Sequence, residues 1–222
     1  MKIIVLAIAA ALALPSTASA REFCGKLENH YGPYDYRTEK GKLPIVDGAH
    51  FTEEVEAGIR GATDELGGDL DYTLRAFPNH HRALATLSRV ALRDKVVMIP
   101  KTKWPVECYF LRAQRLAPND AVVYNLYGAY LSSKGQRDEA LAQYKEAIRF
   151  DPDNAMFNYN IGLAYLKKND YEKALYHAHK AYDQRYPLPG LKNQLIKAGK
   201  WKDKPAEETP AENKPVEETP AG

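Results

Sequence analysis

The chain has 222 residues, 45% of them hydrophobic, with two cysteines and a formal charge of +2 from 31 basic and 29 acidic side chains. So even a balance gives no electrostatic case for nucleic acid or an anionic membrane surface, both of which lean on clustered Lys and Arg. Beyond residue 20 no stretch is apolar enough to enter a bilayer.

Residues 1–20, MKIIVLAIAAALALPSTASA, place one lysine ahead of an unbroken apolar run from Ile3 to Leu14, followed by Pro15 and an Ala18-Ser19-Ala20 ending. That is the pattern of a secretory signal peptide, with cleavage expected after Ala20. A retained anchor is the alternative, although the run is short for a spanning helix, which needs about 20 residues. Lipid attachment at Cys24 is a weaker one, because Arg21, Glu22 and Phe23 stand where small apolar residues should precede a lipidated cysteine. The mature chain is therefore expected in the periplasm or outside the cell. In that oxidising setting Cys24 and Cys108 read most naturally as a disulfide tying the start of the mature chain to its middle. Two buried free thiols are the alternative, and the wide spacing does not resemble a C-x-x-C pair.

Residues 21–77 are rich in Tyr and His and match nothing downstream. FCGKLENHYGPYDYR crowds tyrosines around a Gly32-Pro33 turn. HFTEEVEAGIRGATDEL then predicts a helix capped by Thr52, with Glu53, Glu54 and Glu56 in the first turn and Gly67-Gly68 as its stop. For DLDYTLRAFPN the pattern leaves a short helix and extended chain both open.

From Ala121 to Leu188 the chain compares with itself at an offset of 34 residues. Gly128 returns as Gly162, Ala140 as Ala174 and Ala147 as Ala181, while Tyr124, Tyr127 and Leu131 are answered by Asn158, Ile161 and Tyr165. Apolar residues at helical spacing on both sides of SSKGQRDE and KKNDYEK make each half a helix–turn–helix unit. With its period and small residues, the segment DAVVYNLYGAYLSSKGQRDEALAQYKEAIRFDPDN closely resembles the tetratricopeptide repeat. The resemblance implies an all-α fold, a short right-handed solenoid. Gly128 and Gly162 would let paired helices approach, Ala140 and Ala174 would sit at helix crossings, Ala147 and Ala181 would admit the neighbouring repeat, and Pro152 would end the second helix. In the second unit Ala178 replaces the usual large aromatic.

Counting back by the same offset, Phe110, Ala113 and Pro118 align with Tyr144, Ala147 and Pro152, so residues 78–120 read as a degenerate repeat. Its first helix is expected in NHHRALATLSRVALR and its second in VECYFLRAQRLAPND, with DKVVMIPKTKWP inserted between them. Full repeats occupy 121–154 and 155–188, and 189–201 predicts a capping helix with Leu191, Leu195 and Ile196 as its apolar stripe. Residues 202–222 repeat KPxEETPA, carry excess acid and are expected to be disordered.

Catalytic and metal-binding patterns are weak. His177 and His179 are two apart and His80 and His81 adjacent, whereas a helical chelate needs i+3 or i+4 spacing. A site assembled in space from His30, His50, His80 and His81, with Asp69 or Asp71, stays as the alternative function: a metal- or small-molecule-binding module. No phosphate loop or nucleophile elbow is present. The reading is thus a non-enzymatic adaptor without cofactor or metal, whose partner is another protein or peptide of the cell envelope. By the resemblance, groove residues on the first helices would be Asn125, Ala129 and Ser132, then Tyr159, Leu163 and Leu166. Asn125 would pair with a peptide amide and Tyr159 would supply a hot-spot ring.

Overall fold

The computed structural model describes residues 24–203, so the signal-peptide expectation for residues 1–20 and the disorder expectation for the tail from 204 onward lie outside the described residues. Within them are ten α-helices and no strand: α1 (Leu43–His50), α2 (Glu53–Ala57), α3 (Leu66–Ala76), α4 (His81–Asp94), α5 (Val106–Leu116), α6 (Ala121–Ser133), α7 (Arg137–Phe150), α8 (Ala155–Lys167), α9 (Tyr171–Asp183) and α10 (Gly190–Lys197). α6 with α7 and α8 with α9 form the two tightest antiparallel hairpins, as the 34-residue offset predicts. The architecture is a short helical solenoid.

The same chain reversal occurs three times. After α3, α5 and α7 the backbone turns at Phe77, Ala117 and Asp151 with φ/ψ of −128/83, −130/75 and −143/81. In each case the next residue is proline, Pro78, Pro118 or Pro152, which has no N–H to extend the helix. The new helix then opens from an extended residue, His80, Asp120 or Asn154. α3 therefore ends in the same reversal as the second helices of the repeats. Pro78 and Pro118 stand 40 residues apart and Pro118 and Pro152 stand 34 apart. The excess is the insertion between α4 and α5.

Several N-terminal expectations need correcting. The helix expected from Thr52 to Gly67 stops at Gly58, which takes a left-handed φ of 70° that glycine adopts without strain. Thr52 occupies the N-cap position, but its hydroxyl makes no capping bond. Gly67-Gly68 lies inside the first turn of α3 instead of ending a helix, and DLDYTLRA is helical. Gly67 is there because the insertion crosses it closely: a Cβ would lie 2.0 Å from the Pro100 carbonyl oxygen. That approach buries Ile99, while Trp104 lies against Gly25 and the Arg112 guanidinium.

Small residues govern the repeat packing, with one change of role. A Cβ on Gly128 would meet the Tyr144 ring at 2.8 Å, so this glycine does admit the partner helix α7. The position equivalent to Tyr144 one period later is Ala178, and the space it leaves is filled by Leu191 of the cap, whose Cδ2 would lie 2.5 Å from a Cβ on Gly162. Gly162 therefore makes room chiefly for α10. Ala140, Ala147, Ala174 and Ala181 are fully buried at crossings. In the cap, Leu191 and Leu195 are buried but Ile196 is 53% exposed, so the apolar stripe is narrower than expected.

Candidate binding surface

The first helices of successive units, α4, α6, α8 and α10, touch one another in order. The second helices stand further apart and meet through long side chains such as Gln114, which donates to Gln143 across α5 and α7 at 2.7 Å. Close spacing on one side and wide spacing on the other bend the array so that the first helices line the inner face. Two bonds join the inner stripes of α6 and α8: Asn160 Nδ2 donates to Asn125 Oδ1 at 2.9 Å and Lys167 Nζ to Ser132 Oγ at 3.1 Å.

The six groove residues divide into two groups. Ala129, Ser132, Leu163 and Leu166 are half-buried and reachable from solvent. Asn125 is only 2% exposed, its amide oxygen already taken by Asn160, so it is not free to receive a peptide amide. Tyr159 is 8% exposed, its ring 4.7 Å from that of Tyr186 and its hydroxyl in the place a Cβ on Gly190 would need. It is a packing residue between α8 and the approach to the cap, because the chain after α9 folds back over α8. Sequence reasoning missed Leu126, Asn160 and the exposed Met156, although Leu126 and Asn160 are themselves 34 residues apart and on the right stripe.

Leu166 belongs to a recess shared with Asn169, Tyr171, Gln194, Lys197 and Ala198, between the α8–α9 turn and the cap. Lys197 is part of this lining and Lys200 Nζ lies 5.5 Å from the Tyr171 ring. Lys168 is paired with Asp138 across the α7–α8 boundary.

The histidines serve the scaffold. His80 caps α4 by accepting the Ala83 N–H on Nδ1 at 3.1 Å, and its Nε2 faces Asp47 at 3.1 Å. Burial pushes its pKa down, which suits a neutral ring donating to that carboxylate. His81 Nε2 lies 2.8 Å from Asp120, and Tyr36 packs against both rings. Asn79, fully buried, is the hub: it donates to Asp35 and Asp120 at 2.8 and 2.9 Å and accepts the Tyr36 N–H at 2.9 Å. His50 and Thr63 both bond Asp69, which also takes the Ala62 and Thr63 N–H groups and so ties down the loop between α2 and α3. Burial alone would raise the Asp69 pKa, but these donors outweigh it and hold it at about 2. His177 is buried against Tyr165 and bonded to Asn158, and burial pushes it down to about 4. Among the described residues no three His, Cys, Asp or Glu side chains converge as metal ligands.

Cys24 and Cys108 are joined in a disulfide. Around it α5 grips the start of the described chain: Arg112 donates to the carbonyls of Cys24 and Lys26, and Arg115 to that of Gly25.

Residues 128–169, from the second half of α6 through α7 to the end of α8, match the family model of the TPR repeat. A curated relative, the peroxisomal targeting signal receptor of Candida albicans, is 29% identical over 72 residues, which make up 32% of this chain. The match spans only 12% of that receptor's length. Among solved structures, YrrB, described as a TPR protein with an unusual peptide-binding site, is 25% identical, with 72% of this chain and 71% of that chain covered and a TM-score of 0.43. MamA is 22% identical, with 59% of this chain and 71% of that chain covered and a TM-score of 0.41.

Proposed function

We propose that the chain is a non-enzymatic adaptor of the bacterial cell envelope that holds an extended peptide or a partner's helix on the inner face of α6 and α8. The observation that carries this reading is the ladder of half-buried, chemically mixed side chains there. Leu126, Ala129, Leu163 and Leu166 offer apolar contact, and Asn160, Ser132 and Lys167 offer hydrogen bonds on the same stripes. Such a surface has a protein-like apolar centre with polar donors at its edge. The signal-like residues 1–20 and the disulfide support an oxidising compartment outside the cytoplasm.

The histidine-rich N-terminal portion gives less support to a metal or small-molecule module. His50, His80 and His81 each already face a carboxylate that fastens one segment to another.

The test is capture of the partner from an envelope extract by the purified full chain and by Leu163→Glu and Ala129→Arg variants. Both variants are expected to lose at least tenfold in capture while keeping wild-type circular dichroism and melting. Equal capture by wild type and both variants overturns the assignment of this face.

A further inference from the structure

The two kinds of helix in the solenoid differ in charge. The second helices are balanced: α7 sets Arg137, Lys145 and Arg149 against Asp138, Glu139 and Glu146, and α9 sets Lys173 and Lys180 against Glu172 and Asp183. The first helices are not. α6 has no Asp, Glu, Lys or Arg, α8 has only Lys167, and α10 has only Lys192 and Lys197. At the adjoining turns the acids are already matched, Asp138 by Lys168 and Asp170 by Lys173. The formal charge these three helices bring to the inner face is therefore all positive.

That charge gathers where the inner face meets the cap. The recess there, about 330 Å³, is reached from the inner stripe of α8 through Leu166. Leu166 and Tyr171 give it apolar walls, Asn169 and Gln194 bring carboxamides, and Lys197 completes the lining, with no Asp or Glu among the described residues that form it. The Tyr171 hydroxyl donates to Asn169 Oδ1 at 3.0 Å, which leaves the Asn169 N–H groups to donate elsewhere. Lys200 Nζ stands 5.5 Å from the Tyr171 ring. Among the described residues Lys197 and Lys200 have no carboxylate within ion-pair reach, and the Gln194 amide has no hydrogen-bond partner. Lys167 Nζ has only the neutral Ser132 hydroxyl.

We propose that the segment held on the inner face is acidic: an extended peptide of a partner protein that places an apolar side chain in the recess, against Leu166 and Tyr171, and flanking Asp or Glu side chains on Lys197, Lys200 and Lys167. The inference rests on the inner-face reading and names the chemistry of its partner. Complementary charge steers such a segment in and rejects basic ones, while the apolar walls hold it. A phosphate backbone would use the lysines but leave the apolar walls and the carboxamides idle, so a polypeptide fits the recess better than a nucleic acid.

The experiment uses the purified full chain with its disulfide intact. The probe is a fluorescein-labelled peptide of about ten residues, Asp, Glu and Ser around one central leucine, and its control carries Asn and Gln in place of every acid. Anisotropy is expected to show the acidic probe bound at least tenfold more tightly than the control, weakening several-fold as salt rises from about 0.05 to about 0.3 M. Lys197→Glu/Lys200→Glu is expected to lower affinity for the acidic probe at least tenfold at unchanged Tm, and Lys197→Arg/Lys200→Arg to keep most of it. Equal affinity for the two probes, no saturation by the acidic probe below about 1 mM, or displacement by short polyphosphate as effective as by unlabelled peptide overturns the proposal. So does binding that appears only once residues 204–222 are removed, which would give the recess to the chain's own acidic tail, or a dimer dissociated by the same charge reversal, which would give it to a second copy. In capture from the envelope extract, loss by Leu163→Glu with full retention by Lys197→Glu/Lys200→Glu keeps the inner-face reading and sinks this one. Retention by Leu163→Glu and Ala129→Arg alike sinks the inner-face reading itself.

Discussion

Residues 121–188 and residues 24–80 stack on the same solenoid but are held by different physics. In the repeats, helices meet through glycine and alanine, and specificity comes from shape: Tyr144 over Gly128, Leu191 over Gly162. The N-terminal portion has only short helices, and its small apolar cluster, Val46, Ala76 and Phe77 under a fringe of tyrosines, is not part of the main core. Phe51, Val55, Leu70 and Leu74 do pack into the main core, and buried polar groups, two arginine clamps and one covalent bond fasten the rest. The contrast teaches that a repeat array can carry a poorly repetitive end if that end is pinned at a few expensive points.

Removing the covalent pin should have the largest effect. Cys24 and Cys108 are 84 residues apart, and opening so long a loop costs about 4 kcal/mol in the chain-entropy view. A Cys24→Ser/Cys108→Ser protein is expected to lose that much in urea unfolding, with hydrogen exchange accelerated first before residue 80. Uniform acceleration across both regions would erase the contrast.

Next is the polar hub. Asn79→Ala removes the donor shared by Asp35 and Asp120 and should cost about 3 kcal/mol, since bonds to buried charged groups are the strong ones. An isosteric Asn79→Asp should not rescue it, because a third carboxylate repels the other two. Rescue by Asp would show that space and not donation matters there.

For the shape-held region, Gly162→Leu forces a side chain onto Leu191 and should cost about 2 kcal/mol. Detachment of the cap should precede loss of the α6–α7 hairpin. Because the clash is with the cap, pairing it with Leu191→Ala should recover part of the loss, and no recovery would return Gly162 to a role within its own hairpin.

The remaining effect, of similar size but confined to a pH window, is a pH dependence. His177 has a folded pKa of about 4 against an unfolded value near 6.5, so between those values the unfolded chain binds the extra proton and stability rises with pH. Its contribution is complete above about pH 6.5 and lost as pH falls toward 4, at about 2 kcal/mol after screening is allowed for. His177→Gln should flatten the wild-type slope of stability over that window. An unchanged slope would assign it to other groups.

The repeats were legible because their period, small residues and prolines are written at fixed offsets, and the paired helices follow from local pattern alone. Even there, Ile196 and Tyr159 were misplaced. Helical spacing tells which face a side chain is on but not what returns to cover it, and the chain after α9 covers Tyr159 with Tyr186. The shared reversal after α3 is written in Phe77-Pro78-Asn79, but its irregular 40-residue spacing from Pro118 hides it from a 34-residue offset. The Gly67 that opens α3 cannot be told locally from one that ends a helix, because its close contact is the Pro100 carbonyl, 33 residues away in sequence.

By itself, the sequence determined the helix–turn–helix repeat, its turns and its small-residue crossings, since these depend on residues within one period of each other. Tertiary structure alone decided which groove positions stay open, why Gly162 is needed, and how Asn79, Asp120 and the arginines of α5 bind the N-terminal portion. Those outcomes depend on groups far apart in the chain competing for the same buried space and the same hydrogen bonds.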